Sequence, residues 1–330
     1  MAYQTSAAST RLQGFGLNMF SQDELYRIHL ASLQVLEKTG IKVTSRKALK
    51  TFADAGCNVT YQDQENGLVK FPGYIIEECL GSAPKKVVLY GREEKNNVVL
   101  EDKRVHFTNF GEGVSIVDPY TGKLRDTLKQ DCADTAKLCD ALDEIDIVLR
   151  AVAPHDIPPE LHPIHVTDAC FNNTTKPVFV GGVHGSHAPY IMEMAAAVAG
   201  GKEQLREKPL LAVNVCPTSP LQLTEHVCDT IMACASYGIP VNYISMAMSG
   251  ATSPVTLAGT LVTHNCEVLA GIALNQLTHK GAPVIYGSST TMMDLKTTTA
   301  PVGSPEFAMI NAAVAVLAQF YKLPSWVAGG

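Results

Sequence analysis

From about residue 146 onward, short apolar runs alternate with long stretches of helical character. The runs are 145–152, 177–183, 210–215, 241–246, 284–287 and 325–328. From the second run on, their starts fall about 30 to 45 residues apart, which leaves room for a crossover helix between neighbours. Each run is nearly all apolar and lacks strict alternation, as a parallel strand buried on both faces should. Repeated units of this kind predict a doubly wound sheet or a (β/α)8 TIM-type barrel. A further strand is expected near residues 105–113.

The first hundred residues have a different rhythm. Ser21-Gln22-Asp23-Glu24 is a capping box, in which Ser21 accepts from the backbone three residues on and Glu24 reaches back. The helix it opens should reach about Thr39 and stop at Gly40. A second helix fits residues 46–55, closed by Gly56. Then come a strand at 68–71, a helix behind Pro72, and strands at 86–90, 98–101 and 105–108. Asn96-Asn97 and Glu101-Asp102-Lys103 stand where turns are needed. The pattern predicts a small α/β cap over residues 1–104, followed by a barrel over 105–330. Within the barrel, Thr218-Ser219-Pro220, Thr252-Ser253-Pro254 and Gly303-Ser304-Pro305 look like helix starts, with serine as N-cap and proline at the first helical position.

Composition narrows the classes. Apolar residues make up 46% and charged residues 18%, ordinary values for a globular protein with a large core. The net charge of −6, with no basic run, offers no footprint for nucleic acid or anionic lipid. Residues 1–12 lack the basic start and apolar stretch of a secretory signal. No uninterrupted apolar segment reaches the roughly 20 residues that cross a bilayer, so no membrane span is expected. Nine cysteines, an odd number at irregular spacings, predict reduced thiols and a cytoplasmic location.

Ordinary cofactor motifs are missing. No dinucleotide fingerprint or phosphate-binding lysine loop is present; Gly181-Gly182-Val183-His184-Gly185 comes closest and reads better as a tight turn. His184 and His187, or His155, His162 and His165, could offer imidazoles, but surface and loop positions account for them. His264 and Cys266 lie two apart on a helix and so point away from each other. No metal site is predicted. At the ends of the strands the picture changes, because barrel enzymes place their chemistry there. Cys216 ends a strand, where it is either a nucleophile or a small residue packed under the next turn. Asn214, Met246, Tyr286 and Ser288 would line the same mouth. Glu306 follows the Ser304 cap, where the helix dipole favours a carboxylate. From there it could also protonate a bound imine.

These loops carry a resemblance. Cys216-Pro217-Thr218-Ser219-Pro220-Leu221, Ser245-Met246-Ala247-Met248-Ser249-Gly250, Leu261-Val262-Thr263-His264-Asn265, Tyr286-Gly287-Ser288-Ser289-Thr290-Thr291 and Ala300-Pro301-Val302-Gly303-Ser304-Pro305-Glu306 resemble the signature stretches of trimethylamine:corrinoid methyltransferases. The likeness runs from about Phe20 to the last residue. It implies a (β/α)8 barrel, usually assembled as a homo-oligomer. It also implies transfer of a methyl group from trimethylamine to the cobalt of a corrinoid. That corrinoid would be carried by a cognate partner protein, with no cofactor bound directly by this chain.

In the trimethylamine members a segment like Leu323-Pro324-Ser325-Trp326-Val327-Ala328-Gly329-Gly330 immediately precedes pyrrolysine, encoded by an in-frame amber codon. The resemblance therefore implies a chain that stops just before that residue, with a barrel incomplete at its C-terminus and without activity of its own. A glycine-betaine-type corrinoid methyltransferase is the alternative enzyme, and a non-catalytic fragment the alternative to an enzyme. The expected pocket joins Asn214, Cys216, Met246, Tyr286, Ser288 and Glu306, with Gly330 near its rim.

Overall fold

The computed structural model describes residues 19–183 and 185–329. Its central element is a parallel sheet of six strands: Val148–Leu149, Val178–Val180, Leu211–Val215, Val241–Ser245, Val284–Ser288 and Ser325–Val327. Neighbours in the sheet are neighbours in sequence, and every pair is parallel. Each lies within or within one residue of an apolar run expected to form a strand. Parallel bridges Thr108↔Ile147 and Gly113↔Val152 lay residues 108–113 along the outer edge of the first strand. The expected strand there is reduced to those two bridges. The strictly sequential order has no reversal point, so the sheet is not doubly wound. With right-handed crossovers, such an order puts all the connecting helices on one face.

The helices form that layer. Lys129–Ala141, His162–Asn173, Ala188–Ala199, Glu225–Tyr237, Leu257–Thr278 and Pro305–Phe320 each pack against the next. The sheet is thus a curled half-barrel with a helical outside. Side-chain alternation separates its two faces. Leu211, Val213, Val215, Val241, Tyr243, Val284 and Tyr286 join the large core under the helices. Ile147, Leu149, Phe179, Ala212 and Ile285 form a second core on the inner face, with Trp326 against it. That inner core is filled from below by the antiparallel hairpin Val87–Leu89 and Val98–Leu100, through Val87, Leu89 and Val98.

The N-terminal residues are tied into this frame. The capping box at Ser21 forms as expected: Ser21 Oγ accepts from Glu24 N at 3.3 Å, and Glu24 Oε2 accepts from Ser21 N at 2.8 Å. It opens the helix Gln22–Lys38, and Gly40 ends that region at φ +85°. A Cβ on Gly40 would lie 2.5 Å from the Val69 carbonyl oxygen, so the turn needs glycine twice over. Helices Gln22–Lys38, Arg46–Asp54 and Gly73–Ser82 all pack on Leu257–Thr278. A small sheet orders the segments Gln222–Leu223, Ile41–Val43, Gly67–Lys70 and Asn58–Tyr61, so one of its strands belongs to the barrel region. The turn expected at Asn96-Asn97 is a 3-10 helix, Glu94–Asn96.

Two of the three Ser-Pro helix starts are corrected. The helix after Leu211–Val215 begins at Glu225 behind Thr224, and Ser219-Pro220 forms a turn closed by the bridge Thr218↔Gln222. The helix after Val241–Ser245 begins at Leu257, with Thr256 as the cap. Only Ser304-Pro305 initiates a helix, Ser304 Oγ accepting from Phe307 N at 3.3 Å. A Ser-Pro pair fixes a local turn without dictating the element after it. Leu257–Thr278 is long and apolar enough to cross a bilayer, although polar residues such as His264, Asn265 and Glu267 interrupt its apolar run. Most of it is buried between the N-terminal helices and the sheet.

Candidate functional site

Two polar side chains of the inner face lie at one level. Asn214 and Asn242 are partners in register on adjacent strands, and both point inward by alternation with Ala212 and Ile285. Asn242 Nδ2 donates to Asn214 Oδ1 at 2.9 Å. The fully buried Asn242 lays its own Oδ1 across Gly287, where an added Cβ would come within 2.3 Å of it. That Oδ1 accepts no hydrogen bond in the structure.

Further toward the C-terminal ends of the strands, Cys216 and Met246 are solvent-exposed, Met246 by 52%. Cys216 is open to water yet hemmed in by protein. Desolvation, helped by the nearby charge of Glu112, pushes its thiol up to about 11. The other eight cysteines are buried free thiols.

Glu112 is the residue that sequence reasoning passed over. It lies in the edge segment that flanks the first strand, between Gly111 and Gly113. Its backbone is left-handed, at φ +73°. Its Oε2 accepts from Nη2 of Arg150, which is buried. Its Oε1 lies beside Gly181, where a Cβ would come within 3.0 Å, and that Cβ would be 4.0 Å from the Cβ of Asn214. The Arg150 guanidinium lies 3.4 and 3.5 Å from where a Cβ on Gly182 would stand. Gly181 and Gly182 are the sequence signal for this site, and by themselves they predict only a tight turn.

Glu267, also unforeseen, is a buried carboxylate on Leu257–Thr278. It accepts from Ser219 Oγ at 2.8 Å, Ser245 Oγ at 2.7 Å and Leu221 N at 3.0 Å. It therefore ties the loop after Cys216 to the end of the next strand. Burial raises its pKa, and the three hydrogen bonds pull the other way without winning.

The expected pocket is brought together only in part. Asn214, Cys216 and Met246 share the inner face. Tyr286 and Ser288 do not join them, because they occupy the opposite parity from Ile285 and Gly287. Tyr286 is fully buried toward the helices, and Ser288 is fully buried with its Oγ accepting from Thr290 N at 3.1 Å. Glu306 stands half-buried in the first turn of Pro305–Phe320. Gly330 and His184 lie outside the described residues. The three other loop and helix-start histidines considered as a cluster have local partners: His155 meets Thr127, His162 the Ile157 carbonyl, and His165 the Lys129 ammonium. Among the described residues no group of acidic, histidine and cysteine side chains could hold a metal ion. A cavity of about 350 Å³ lies at the other end of the sheet, beside Pro209, Pro240 and Pro283, away from the mouth.

A sequentially ordered parallel half-barrel with its polar inner groups toward the C-terminal strand ends defines an α/β barrel-type protein. The chain belongs to the trimethylamine methyltransferase family, whose model matches residues 4–330. It is 56% identical over 324 residues to a trimethylamine methyltransferase MttB of Desulfitobacterium hafniense, covering 98% of this chain and 65% of the relative. It is 47% identical to the MttB of Methanosarcina barkeri, over 98% of this chain and 66% of that one. A glycine betaine methyltransferase of Desulfitobacterium hafniense is 35% identical over 95% of this chain and 64% of its own length. The chain thus spans about two thirds of the length of these relatives. Among solved structures, a hydroxylamine complex of MtmB matches 95% of this chain and 63% of its own, with a TM-score of 0.59 at 13% identity. The monomethylamine methyltransferase MtmB of Methanosarcina barkeri matches with a TM-score of 0.54 at 14% identity, over 92% and 67% of the two chains. These two likenesses concern the fold.

Proposed function

We propose that this chain forms the larger part of a trimethylamine methyltransferase that passes a methyl group to the cobalt of a corrinoid carried by a separate protein. One observation carries the reading: the chain is 56% identical to a trimethylamine methyltransferase and 35% identical to a glycine betaine methyltransferase. The nine thiols, all free, suit a reducing cytoplasm.

The chemistry sets the requirements. A tertiary amine holds its methyl groups because an amide-like anion leaves poorly, and making the nitrogen quaternary removes that obstacle. Standard side chains such as lysine, serine and cysteine are nucleophiles and cannot accept the amine nitrogen. In the proposed enzyme the imine of pyrrolysine supplies the missing electrophile. The methyl carbon then takes its new electron pair from cobalt(I), and the C–N pair stays on nitrogen. Cobalt is thereby oxidised formally by two electrons. The half-barrel contributes orientation: a polar wall at Asn214 and Asn242 and an open rim at Cys216 and Met246.

The test is methylation of a cobalt(I) corrinoid protein by a polypeptide of the relatives' length, supplied with trimethylamine or glycine betaine. Methyl-cobalt formation, followed by its absorption spectrum, is expected with trimethylamine. Turnover with glycine betaine alone would overturn the assignment. Sequencing the gene beyond codon 330 checks the pyrrolysine step: an amber codon followed by an open frame is expected, and a sense codon would exclude pyrrolysine there.

A further inference from the structure

The Glu112–Arg150 pair has features that a purely structural ion pair does not need. Arg150 is 8% exposed at its side chain and Glu112 is 56% exposed. The arginine's Nε has no hydrogen-bond partner. Burying a guanidinium with one donor unmet costs free energy, and a pair placed only for stability gains little from it. Glu112 itself adopts a left-handed backbone, which is strained for a residue with a side chain. Its neighbour Gly111 is pressed so close to the first strand that a Cβ would lie 2.3 Å from the Arg150 carbonyl oxygen. Gly181 removes the one Cβ that would crowd Oε1. Strain, a buried anchor and a cleared space all serve one outcome. They hold a single carboxylate oxygen at the C-terminal end of the barrel wall, beside Asn214, with its charge felt at Cys216.

The surroundings say what such an oxygen would meet. Oε2 is occupied by Arg150, and Oε1 lies next to Gly181 on the side of Asn214. Along the same rim, Cys216 feels the charge of Glu112, and the next strand ends in the exposed thioether of Met246, groups that suit methyl surface. A small methylated ammonium ion matches both: a compact cation for the oxygen and methyl groups for the sulfur atoms. A zwitterion with its own carboxylate does not, because it brings like charge to Glu112.

We propose that Glu112, held by Arg150 and given room by Gly181, is the binding residue for the ammonium group of a methylated amine and the element that disfavours betaines. The assignment of amine as substrate rests on the proposed function; the anionic site itself rests on the geometry. The oxygen next to Gly181 accepts a hydrogen bond from the N–H of trimethylammonium, so the ion is oriented as well as attracted.

Calorimetric titration of the chain as it stands tests this, with trimethylammonium chloride, tetramethylammonium chloride and glycine betaine as probes. Trimethylammonium is expected to bind more tightly than tetramethylammonium, and both more tightly than betaine, with affinities that fall as salt rises. Glu112→Gln should weaken trimethylammonium binding about ten-fold. That variant leaves Arg150 unpaired, so Gly181→Ala is the companion: it keeps the ion pair, displaces the oxygen and should also weaken binding, with thermal melting as the control for folding. The proposal falls if wild-type protein binds no ammonium ion, if betaine binds as well as trimethylammonium, or if both variants bind within about two-fold of wild type. Methyl transfer is measured separately. Binding that depends on Glu112 without methyl transfer would remove the proposed function and leave the site; methyl transfer that is indifferent to Glu112 would do the reverse.

Discussion

Tyr286 donates its phenolic hydroxyl to Asn265 Oδ1 at 2.7 Å, which fixes a residue of the barrel wall to the long helix outside it. Asn265 in turn donates to Tyr321 Oη at 2.8 Å and Ser32 Oγ at 2.9 Å, and Tyr321 reaches His29 Nδ1 at 3.0 Å. His29 Nε2 lies 2.7 Å from Glu77 at the surface. The Glu77 carboxylate only accepts, so the N–H of a neutral His29 ring sits on Nε2, and Nδ1 then accepts the Tyr321 hydroxyl. The network joins the sheet, two outer helices and the N-terminal helix, with Asn265 at its centre. Replacing Asn265 by alanine leaves the buried Tyr286 hydroxyl without its acceptor and takes one of two partners from Tyr321 and from Ser32, which keep His29 and the Ile28 carbonyl, and should cost about 3 kcal/mol, whereas Tyr286→Phe should cost about 1 kcal/mol. Urea unfolding of the two variants checks the order; equal costs would show that the network does not act as a unit.

Glu267 predicts a pH dependence. Burial raises its pKa above the ordinary 4.5, so the folded chain holds its proton where the unfolded chain has lost it. Stability from this group is therefore present below about the unfolded value and is lost as pH rises from there through the folded value. Glu267→Gln should flatten that fall in unfolding free energy on the alkaline side of pH 4.5. Glu267→Ala should instead cost about 3 kcal/mol at neutral pH, because Ser219, Ser245 and the Leu221 N–H all lose their acceptor. An unchanged pH profile in the glutamine variant would contradict the account.

Gly287 is required by its neighbours. A Cβ there would lie 2.3 Å from Asn242 Oδ1 and 2.9 Å from the Tyr243 carbonyl oxygen. The second of these is backbone and cannot turn away. Gly287→Ala should destabilise by about 3 kcal/mol and move the Asn214–Asn242 pair. Thermal melting reads the first effect, and a crystal structure of the variant reads the second.

Cys216 should be the thiol that reacts in the folded protein. It is the exposed cysteine, and the other eight are buried. Its reaction should be slow at neutral pH and should accelerate as pH climbs toward about 11, because the thiolate is the nucleophile. Iodoacetamide labelling followed by peptide mass mapping should find a single adduct at Cys216; fast labelling at neutral pH would mean that the mouth is less desolvating than its structure indicates.

The apolar runs by themselves located the six strands, because a strand buried on both faces must be nearly all apolar and is short enough to stand out. Local polar signals settled the ends of two helices, at Ser21 and Ser304, since a cap satisfies its own neighbouring backbone. The same uniform apolarity hid which side chains point inward. Tyr286 and Asn214 sit in equally apolar runs, and only curling the sheet around an inner hairpin put one against the helices and the other in the barrel. Ser219 and Ser253 carry the same local signal as Ser304, yet pairing in the surrounding loops kept them as turns. Glu112 was invisible for a related reason. A glutamate between two glycines reads as a loop residue, and its importance comes from Arg150 and Gly181, which reach it only when three parallel segments are laid side by side. Periodicity records how a residue relates to its own strand or helix; the meeting of groups from different strands is a property of the tertiary structure alone.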